Sequence, residues 1–331
     1  MGIKYSVIMP CYNAEAHIES TLDKFQNVIH DRDDVELVIV NDGSSDKTLE
    51  LINQNFTPYL KLITIDNQGV SNARNVGMDA AVGEYIMFLD SDDYYERSIF
   101  ESLDLNLSNA EVLLFGYQTV LNDGDVRRKY SYSDLNCIDS FQVLSFLFEK
   151  KIPVHICATV IRREVIESNN LLFNVDVHHC EDLEFIIKAL ASVSLITVSS
   201  NILYNYVDQP NSAVNQVVDS KQLTKFHVFE VSLPSFIPVR SYAYYDYYVL
   251  SVYLLLMLKV LKQGVTNDSI VREVNRLFKQ KVSKDIVYPM GLTPLKIRTL
   301  VIIFKLISFI KIFTFTKKIR DLHAFKRTLK K

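Results

Sequence analysis

Tyr85-Ile86-Met87-Phe88-Leu89-Asp90-Ser91-Asp92-Asp93 is an apolar run that ends abruptly in three carboxylates. The run has the character of a buried strand, whereas each acid, if buried with it, would need a partner or would have to take up a proton. The acids therefore belong at the strand's mouth. In an open α/β sheet, ligands bind just beyond the carboxyl ends of the parallel strands. Two carboxylates one residue apart can reach a hard divalent cation, and a cation held by few protein oxygens keeps positions open for phosphate. This stretch predicts a sheet of buried parallel strands with a metal-diphosphate site at its edge.

The same pattern repeats upstream. Residues 5–9 read as a strand stopped by Pro10-Cys11-Tyr12-Asn13, and residues 35–40 as a second strand running into the turn Asn41-Asp42-Gly43-Ser44-Ser45-Asp46. Residues 60–65 form a third, followed by Asp66-Asn67-Gln68-Gly69. Ile18, Leu22, Phe25 and Ile29 recur at helical spacing, Ser45 or Asp46 is placed to cap a helix through Leu49 and Ile52, and Ser71 to cap one running through Ala80. Short β-rich runs alternating with helices predict an α/β fold, a mostly parallel sheet with helices on both faces. In such a sheet the polar loops 10–13, 41–46 and 90–93 gather along one edge as a single crevice.

Beyond Phe100 the pattern is mixed. Residues 111–120 and 156–161 read as strands, 140–148 as a helix, and Asn122-Asp123-Gly124-Asp125 as a hairpin loop. Cys180-Glu181-Asp182 opens a helix buried through Leu183, Ile186, Ile187 and Leu190, and 194–198 and 203–206 return as short strands. A boundary near 217–221 separates an α/β domain, 1–218, from a mainly helical region, 219–331. Residues 249–261 are apolar enough to be buried yet short for a bilayer.

Composition bounds the class. With 48% hydrophobic and 23% charged residues over 331 positions, the chain is globular and not disordered. Its four cysteines, Cys11, Cys137, Cys157 and Cys180, lie too far apart for a zinc site or disulfide framework and read as reduced thiols in a cytosolic protein. Residues 5–9 follow the N-terminus without a charged n-region or a signal-length apolar core, so secretion is not expected. The net charge of −3 hides an asymmetry: residues 295–331 carry +10, which leaves −13 on the rest. That tail is apolar and aromatic but broken by Lys296, Arg298, Lys305 and Lys311, the pattern of an interfacial helix on anionic lipid. A helix packed on the body of the protein would show the same pattern.

Gly69-Val70-Ser71-Asn72-Ala73-Arg74-Asn75-Val76-Gly77 places a glycine approach and a cap at a helix start, with Arg74 and Asn75 close behind. A fork of donors and a positive helix end then face phosphate or carboxylate; the plainer alternative is a surface helix with a solvated arginine. Glu181-Asp182 stands where the helix dipole favours acids in any case, and a catalytic role requires one of them to face the crevice.

Together these motifs resemble the ordered signature of the family-2 inverting glycosyltransferases of GT-A fold. Those that match are Pro10-x-Tyr12-Asn13-x-Glu15, Asn41-Asp42-Gly43-Ser44-x-Asp46, Asn67-x-Gly69-x-Ser71-x-Ala73-Arg74-Asn75-x-Gly77, Asp90-Ser91-Asp92-Asp93 and Glu181-Asp182. They cover about the first two thirds of the chain. The resemblance implies a nucleotide-sugar site, with Pro10, Tyr12, Asp42 and Asn67 lining the base pocket and Glu15 supporting the loop or nucleoside. Arg74, with Asn75 behind it, would approach the diphosphate or donor sugar. Asp90, beside Ser91, would contact the ribose side, and Asp92 would ligate Mn²⁺ or Mg²⁺. Asp182 corresponds to the catalytic base and Glu181 to an orienting or acceptor-binding carboxylate, while Asp93 is structural.

The implied activity is transfer from a UDP-sugar to a glycan or lipid-linked glycan of a bacterial surface polymer, whether capsule, lipopolysaccharide or teichoic acid, at the inner face of the cytoplasmic membrane. One departure stands out. Family members often place an arginine after the paired tyrosines, but Tyr204-Asn205-Tyr206 leads into Val207-Asp208, with Ser212 kept. A sugar nucleotidyltransferase is the alternative enzyme, but it needs a glycine-rich basic triphosphate loop that residues 10–15 do not offer. A non-catalytic glycan-binding relative is the other alternative.

Overall fold

The computed structural model describes residues 2–107, 110–121, 123–132, 139–194, 196–208, 219–263 and 268–283. The β-rich runs of the first third pair as the acid-tipped strand predicts. Strands β1 (Tyr5–Cys11), β2 (Val35–Asp42), β3 (Leu60–Ile65) and β4 (Tyr85–Phe88) are joined by helices α1 (Ile18–Val28), α2 (Thr48–Gln54) and α3 (Val70–Ala80). β2 and β4 flank β1, β3 lies beyond β2, and every pair is parallel. β1 and β2 are buried at every position, as strands covered on both faces must be.

The chain continues through β5 (Tyr94–Tyr95), α4 (Ile99–Asn106), β6 (Val112–Val120), β7 (Val126–Tyr130), α5 (Ser140–Phe148), β8 (Thr159–Arg162), α6 (Arg163–Ser168), α7 (Glu181–Ala191) and β9 (Ile196–Val207). These extend the sheet to β3-β2-β1-β4-β8-β6-β9-β5, with β7 pairing β6. β8 runs antiparallel to both β4 and β6, whereas β9 runs parallel to β6. The sheet is thus parallel across its first four strands and mixed beyond them.

Both faces are covered, as the two-residue period of β1 shows. Tyr5 meets Phe100 of α4 at 5.1 Å between ring centroids. On the opposite face, Ile8 lies against Gly77 of α3, where any Cβ would collide with its Cγ2. Gly77 is what lets α3 lie close on β1.

Local differences from the sequence reading have physical causes. β1 runs through Pro10 to Cys11 rather than stopping before it. The Ile8 carbonyl accepts from Leu89 N, so the polar groups of even-numbered residues point toward β4; β4 ends at Phe88, and the missing Pro10 N–H breaks no ladder bond. The third helix starts at Val70, with Gly69 at φ 91 in the cap position and Ser71 inside the first turn. The preceding loop is instead held from β2, since Asp42 accepts from Gln68 N and Gly69 N at 2.8 Å each. Asp46 serves its helix from just outside, accepting from Thr48 N at 3.0 Å. The two short strands expected over 194–206 are one strand, β9, because register shifts around Gly116 keep it paired with β6. Residues 156–158 form a single 3₁₀ turn before β8.

The chain divides into two compact units, Met1–Asn215 with Thr224–Pro238, and Gln216–Leu223 with Val239–Lys331. In the second, α8 (Tyr242–Gln263) buries Val249, Leu250, Tyr253, Leu254, Leu256 and Val260, and α9 (Asp268–Ser283) follows. Among the described residues no helix is long and apolar enough to cross a membrane. The basic tail, 295–331, as well as Cys137 and Ser212, lie outside the described residues.

Candidate active site

Three phenylalanines assemble the centre of the site. Phe88, the last residue of β4, meets Phe173 and Phe185 edge-on at 5.3 and 5.9 Å, and the latter two stack at 4.1 Å with an interplanar angle of 4°. Phe185 lies one turn into α7, so its packing fixes the start of that helix, where Glu181 and Asp182 stand. Phe173 is clamped to α3: Asn75 Nδ2 donates to its carbonyl at 2.9 Å and Phe173 N donates to Asn75 Oδ1 at 2.8 Å. The Asn75 amide is thereby committed to the chain itself. Its neighbour Arg74 lies over Phe173, 5.3 Å from the ring centroid. One aromatic cluster thus brings the ends of β4, α3 and α7 together.

Arg74 is buried and Nη2 donates to Asp90 Oδ1 at 2.9 Å, with Nη1 3.9 Å from Glu181 Oε1. Nε and Nη1 are buried and have no hydrogen-bond partner. A guanidinium held by acids yet retaining unbonded N–H groups can receive further oxygen acceptors. Burial alone would push Asp90 up; the Arg74 charge, followed by His155, more than offsets that and holds its carboxyl below the ordinary value. Glu181 goes the other way, pushed up to about 7 by burial and then by the Asp182 charge. Cys180 precedes the pair in the left-handed region at φ 71, an uncommon conformation for a non-glycine residue. The turn it makes starts α7 with both acids in the first turn.

The raised Glu181 has a consequence for stability. Its folded-state value lies above the ordinary 4.5, so its contribution is favourable at acid pH and is lost as pH rises from 4.5 through about 7. Fully ionised, the group costs up to roughly 3 kcal/mol, an upper limit because solvent still reaches its side chain, which is 16% exposed. Glu181→Gln is therefore expected to be the more stable protein at pH 8 and to lose most of the decline between pH 5 and 8. Urea midpoints measured across that range check it; parallel declines in both proteins would contradict it.

His155 was not singled out in the sequence, where it is a lone histidine before a strand. Its ring lies 4.9 Å from Tyr204, 5.4 Å from Tyr117 and 5.7 Å from Tyr206, and Nδ1 accepts from Cys157 N at 3.2 Å. Burial pushes its pKa down, against the charges of Asp90 and Asp182, so a neutral ring carries its proton on Nε2.

The acid loop divides its carboxylates. Asp90 turns to Arg74, while Asp92, pushed up by burial and by Asp90, feels His17 of the α1 cap. Asp93 is buried and accepts from Tyr204 Oη and from Val207 N, tying the loop to the end of β9. The Ser91 carbonyl accepts from Thr21 Oγ1 of α1 at 2.9 Å.

The loops after β1 and β2 are latched together. Asn13 N donates to Ser44 Oγ and Asn13 Oδ1 accepts from Ser45 N; Glu15 N donates to Asp46, and Glu15 Oε2 accepts from Lys47 N at 3.0 Å. Glu15 thus supports the loop. Asp42 holds the loop that bears Asn67, and Gly43, at φ 68, is required there because a Cβ would lie 2.8 Å from Asn67 N. Pro10 is buried at the end of β1, while Asn67 and Tyr12, the latter 53% exposed, are left at the surface of these loops.

Residues 6–169 match the glycosyl transferase family 2 profile. An uncharacterized glycosyltransferase of Haemophilus influenzae is 31% identical over 212 residues, which are 61% of this chain and 75% of that protein. The chain belongs to glycosyl transferase family 2. This family 2 protein is also 30% identical over 215 residues to the uncharacterized glycosyltransferase EpsJ of Bacillus subtilis, covering 62% of each. Poly(ribitol-phosphate) β-N-acetylglucosaminyltransferase TarS of Staphylococcus aureus is 25% identical over 210 residues, 62% of this chain and 35% of TarS. The chain thus spans less than two thirds of EpsJ and about a third of TarS. The structure of TarS 1–349 in complex with UDP-GlcNAc matches with a TM-score of 0.53 at 21% identity, covering 85% of this chain and 72% of the other. That likeness is one of fold, and with the mixed sheet and its helices it fits the expected GT-A architecture.

Proposed function

We propose that the chain is an inverting glycosyltransferase that moves a hexose or N-acetylhexosamine from a UDP-sugar to a hydroxyl of a glycan or lipid-linked glycan during surface-polymer synthesis. The observation that carries this reading is Arg74: a buried cation between Asp90 and Glu181, at the mouth of parallel strands, with two nitrogens unbonded. A diphosphate supplies the oxygens those nitrogens lack. Family membership and the UDP-GlcNAc bound by TarS support the donor class.

In this reading Asp182 removes the proton from the acceptor hydroxyl as its oxygen attacks the anomeric carbon. The new C–O bond forms opposite the breaking bond to the diphosphate, UDP leaves with the electron pair, and the anomeric centre inverts. Arg74 meets the charge that develops on the departing phosphate. Glu181, held beside Asp182, orients the acceptor.

The residues fit a divalent cation. Asp92 offers hard oxygen while Asp90 is engaged by Arg74, and among the described residues no group of three or more His, Cys, Asp and Glu could enclose a metal. Asp92 would hold Mn²⁺ or Mg²⁺ through a hard carboxylate oxygen. When bound, it supplies a Lewis acid that neutralises the leaving group. The +10 tail supports peripheral attachment to an anionic membrane on its cytoplasmic side, where lipid-linked acceptors lie.

Thermal shift tests the donor reading. UDP with Mn²⁺ is expected to raise the Tm, by about 2.7 kcal/mol of stabilisation at a hundred times Kd, and EDTA to remove most of it. An unchanged Tm with UDP and metal would overturn the donor assignment, and full stabilisation in EDTA would overturn the role of Asp92.

A further inference from the structure

Helix α1 carries two stripes. Ile18, Leu22 and Phe25 are buried against the domain. His17, Ser20, Thr21 and Lys24, spaced by three or four residues, follow one another along another side. This polar stripe forms one wall of a cleft of about 280 Å³ that Asp92 and Tyr94 close from the acid loop, and that the tip of the β6–β7 hairpin and Val207 close from the other strands.

The cleft borders the proposed metal site, with which it shares Asp92, but neither Arg74 nor its partners Asp90 and Glu181 line it. Its volume lies just under the roughly 300–1,000 Å³ of pockets that enclose drug-sized ligands, which is room for one sugar or polyol unit. Its walls are rich in polar groups. Lys24 Nζ sits 3.9 Å from the Tyr94 ring centroid and makes no ion pair among the described residues. A cation held over an aromatic face, next to a serine hydroxyl and an imidazole, matches a polyhydroxylated unit bearing an anion.

We propose that this cleft is an acceptor subsite that holds one phosphate-bearing polyol or sugar unit of the acceptor chain, with the phosphate at Lys24 and hydroxyls at Ser20 and His17. The word acceptor rests on the glycosyltransferase reading; recognition of a phosphorylated polyol does not.

The experiment measures binding of ribitol 5-phosphate, ribitol and UDP with Mn²⁺ to the full chain by calorimetry, for wild type, Lys24→Ala and Lys24→Glu. Lys24 is exposed, so neither variant threatens folding. Wild type is expected to prefer ribitol 5-phosphate to ribitol by on the order of tenfold, the size of one hydrogen bond to a charged group. Both variants are expected to lose that preference while binding UDP unchanged. Equal binding of ribitol and its phosphate, or a preference that survives Lys24→Glu, overturns the proposal. So does weakened UDP binding in the Lys24 variants, which would assign the cleft to the donor diphosphate. Failure of wild type to bind UDP counts against the donor reading alone.

Discussion

Asp182→Asn is expected to lower kcat by roughly 10²–10⁴-fold, the usual worth of a positioned general base. Donor affinity should stay close to that of wild type. The substitution keeps the shape of the side chain and removes its charge in the first turn of α7, a helix start that Phe185 packs independently of the acids. It also removes a charge that raises Glu181, so the Glu181 titration should move down from about 7. Two readouts therefore accompany the loss of rate: UDP still raises the Tm, and the pH at which the variant's stability declines shifts toward acid. A variant of unchanged kcat would remove Asp182 from the mechanism. Loss of UDP stabilisation alongside rate would place the residue in donor binding instead.

The features that proved legible in the sequence are those written locally. An apolar run closed by acids specifies a strand and its outlet, so β4 and the crevice follow from residues 85–93, and three preceding repeats of strand and polar loop specify the parallel arrangement. The pairing of Arg74 with an acid of the loop was not legible, because α3 and β4 meet through a core that includes Phe173. Asn75 shows the limit most clearly. In the sequence its amide belongs with Arg74 as a donor toward ligand; in the fold it holds the main chain of a residue 98 positions away. Ser71 and Gly69 show the same effect on a smaller scale, since a local cap is unnecessary where Asp42 reaches across from β2.

The second half of the sheet was less legible for a related reason. β8 and β9 find their neighbours through pairings distant in sequence, and a register shift at Gly116 leaves no periodic trace. His155 falls in that half. Its place depends on the 3₁₀ turn before β8 and on tyrosines from β6 and β9, so no local spacing marks it. Asp93, which the resemblance gives as structural, is held in the fold by Tyr204 and by the Val207 main chain.

Arg74→Ala is expected to be the most damaging single change in the site, and it separates structure from binding. Removing one member of a buried pair typically costs about 3–5 kcal/mol, because the remaining charge stays buried without compensation. Here Asp90 loses the charge that holds its carboxyl down, and Glu181 loses the cation 3.9 Å away. Arg74→Lys would restore a charge but not the planar fork that serves Asp90 and presents Nε and Nη1 together. The double variant Arg74→Ala/Asp90→Ala removes both partners, so its stability should recover much of the loss, and the urea midpoints of the four-protein cycle give the coupling directly. UDP stabilisation should not recover, since the unbonded nitrogens are gone in both backgrounds. If the double variant regained UDP binding, Arg74 would be a structural counter-ion for Asp90 and the diphosphate would have to be held elsewhere.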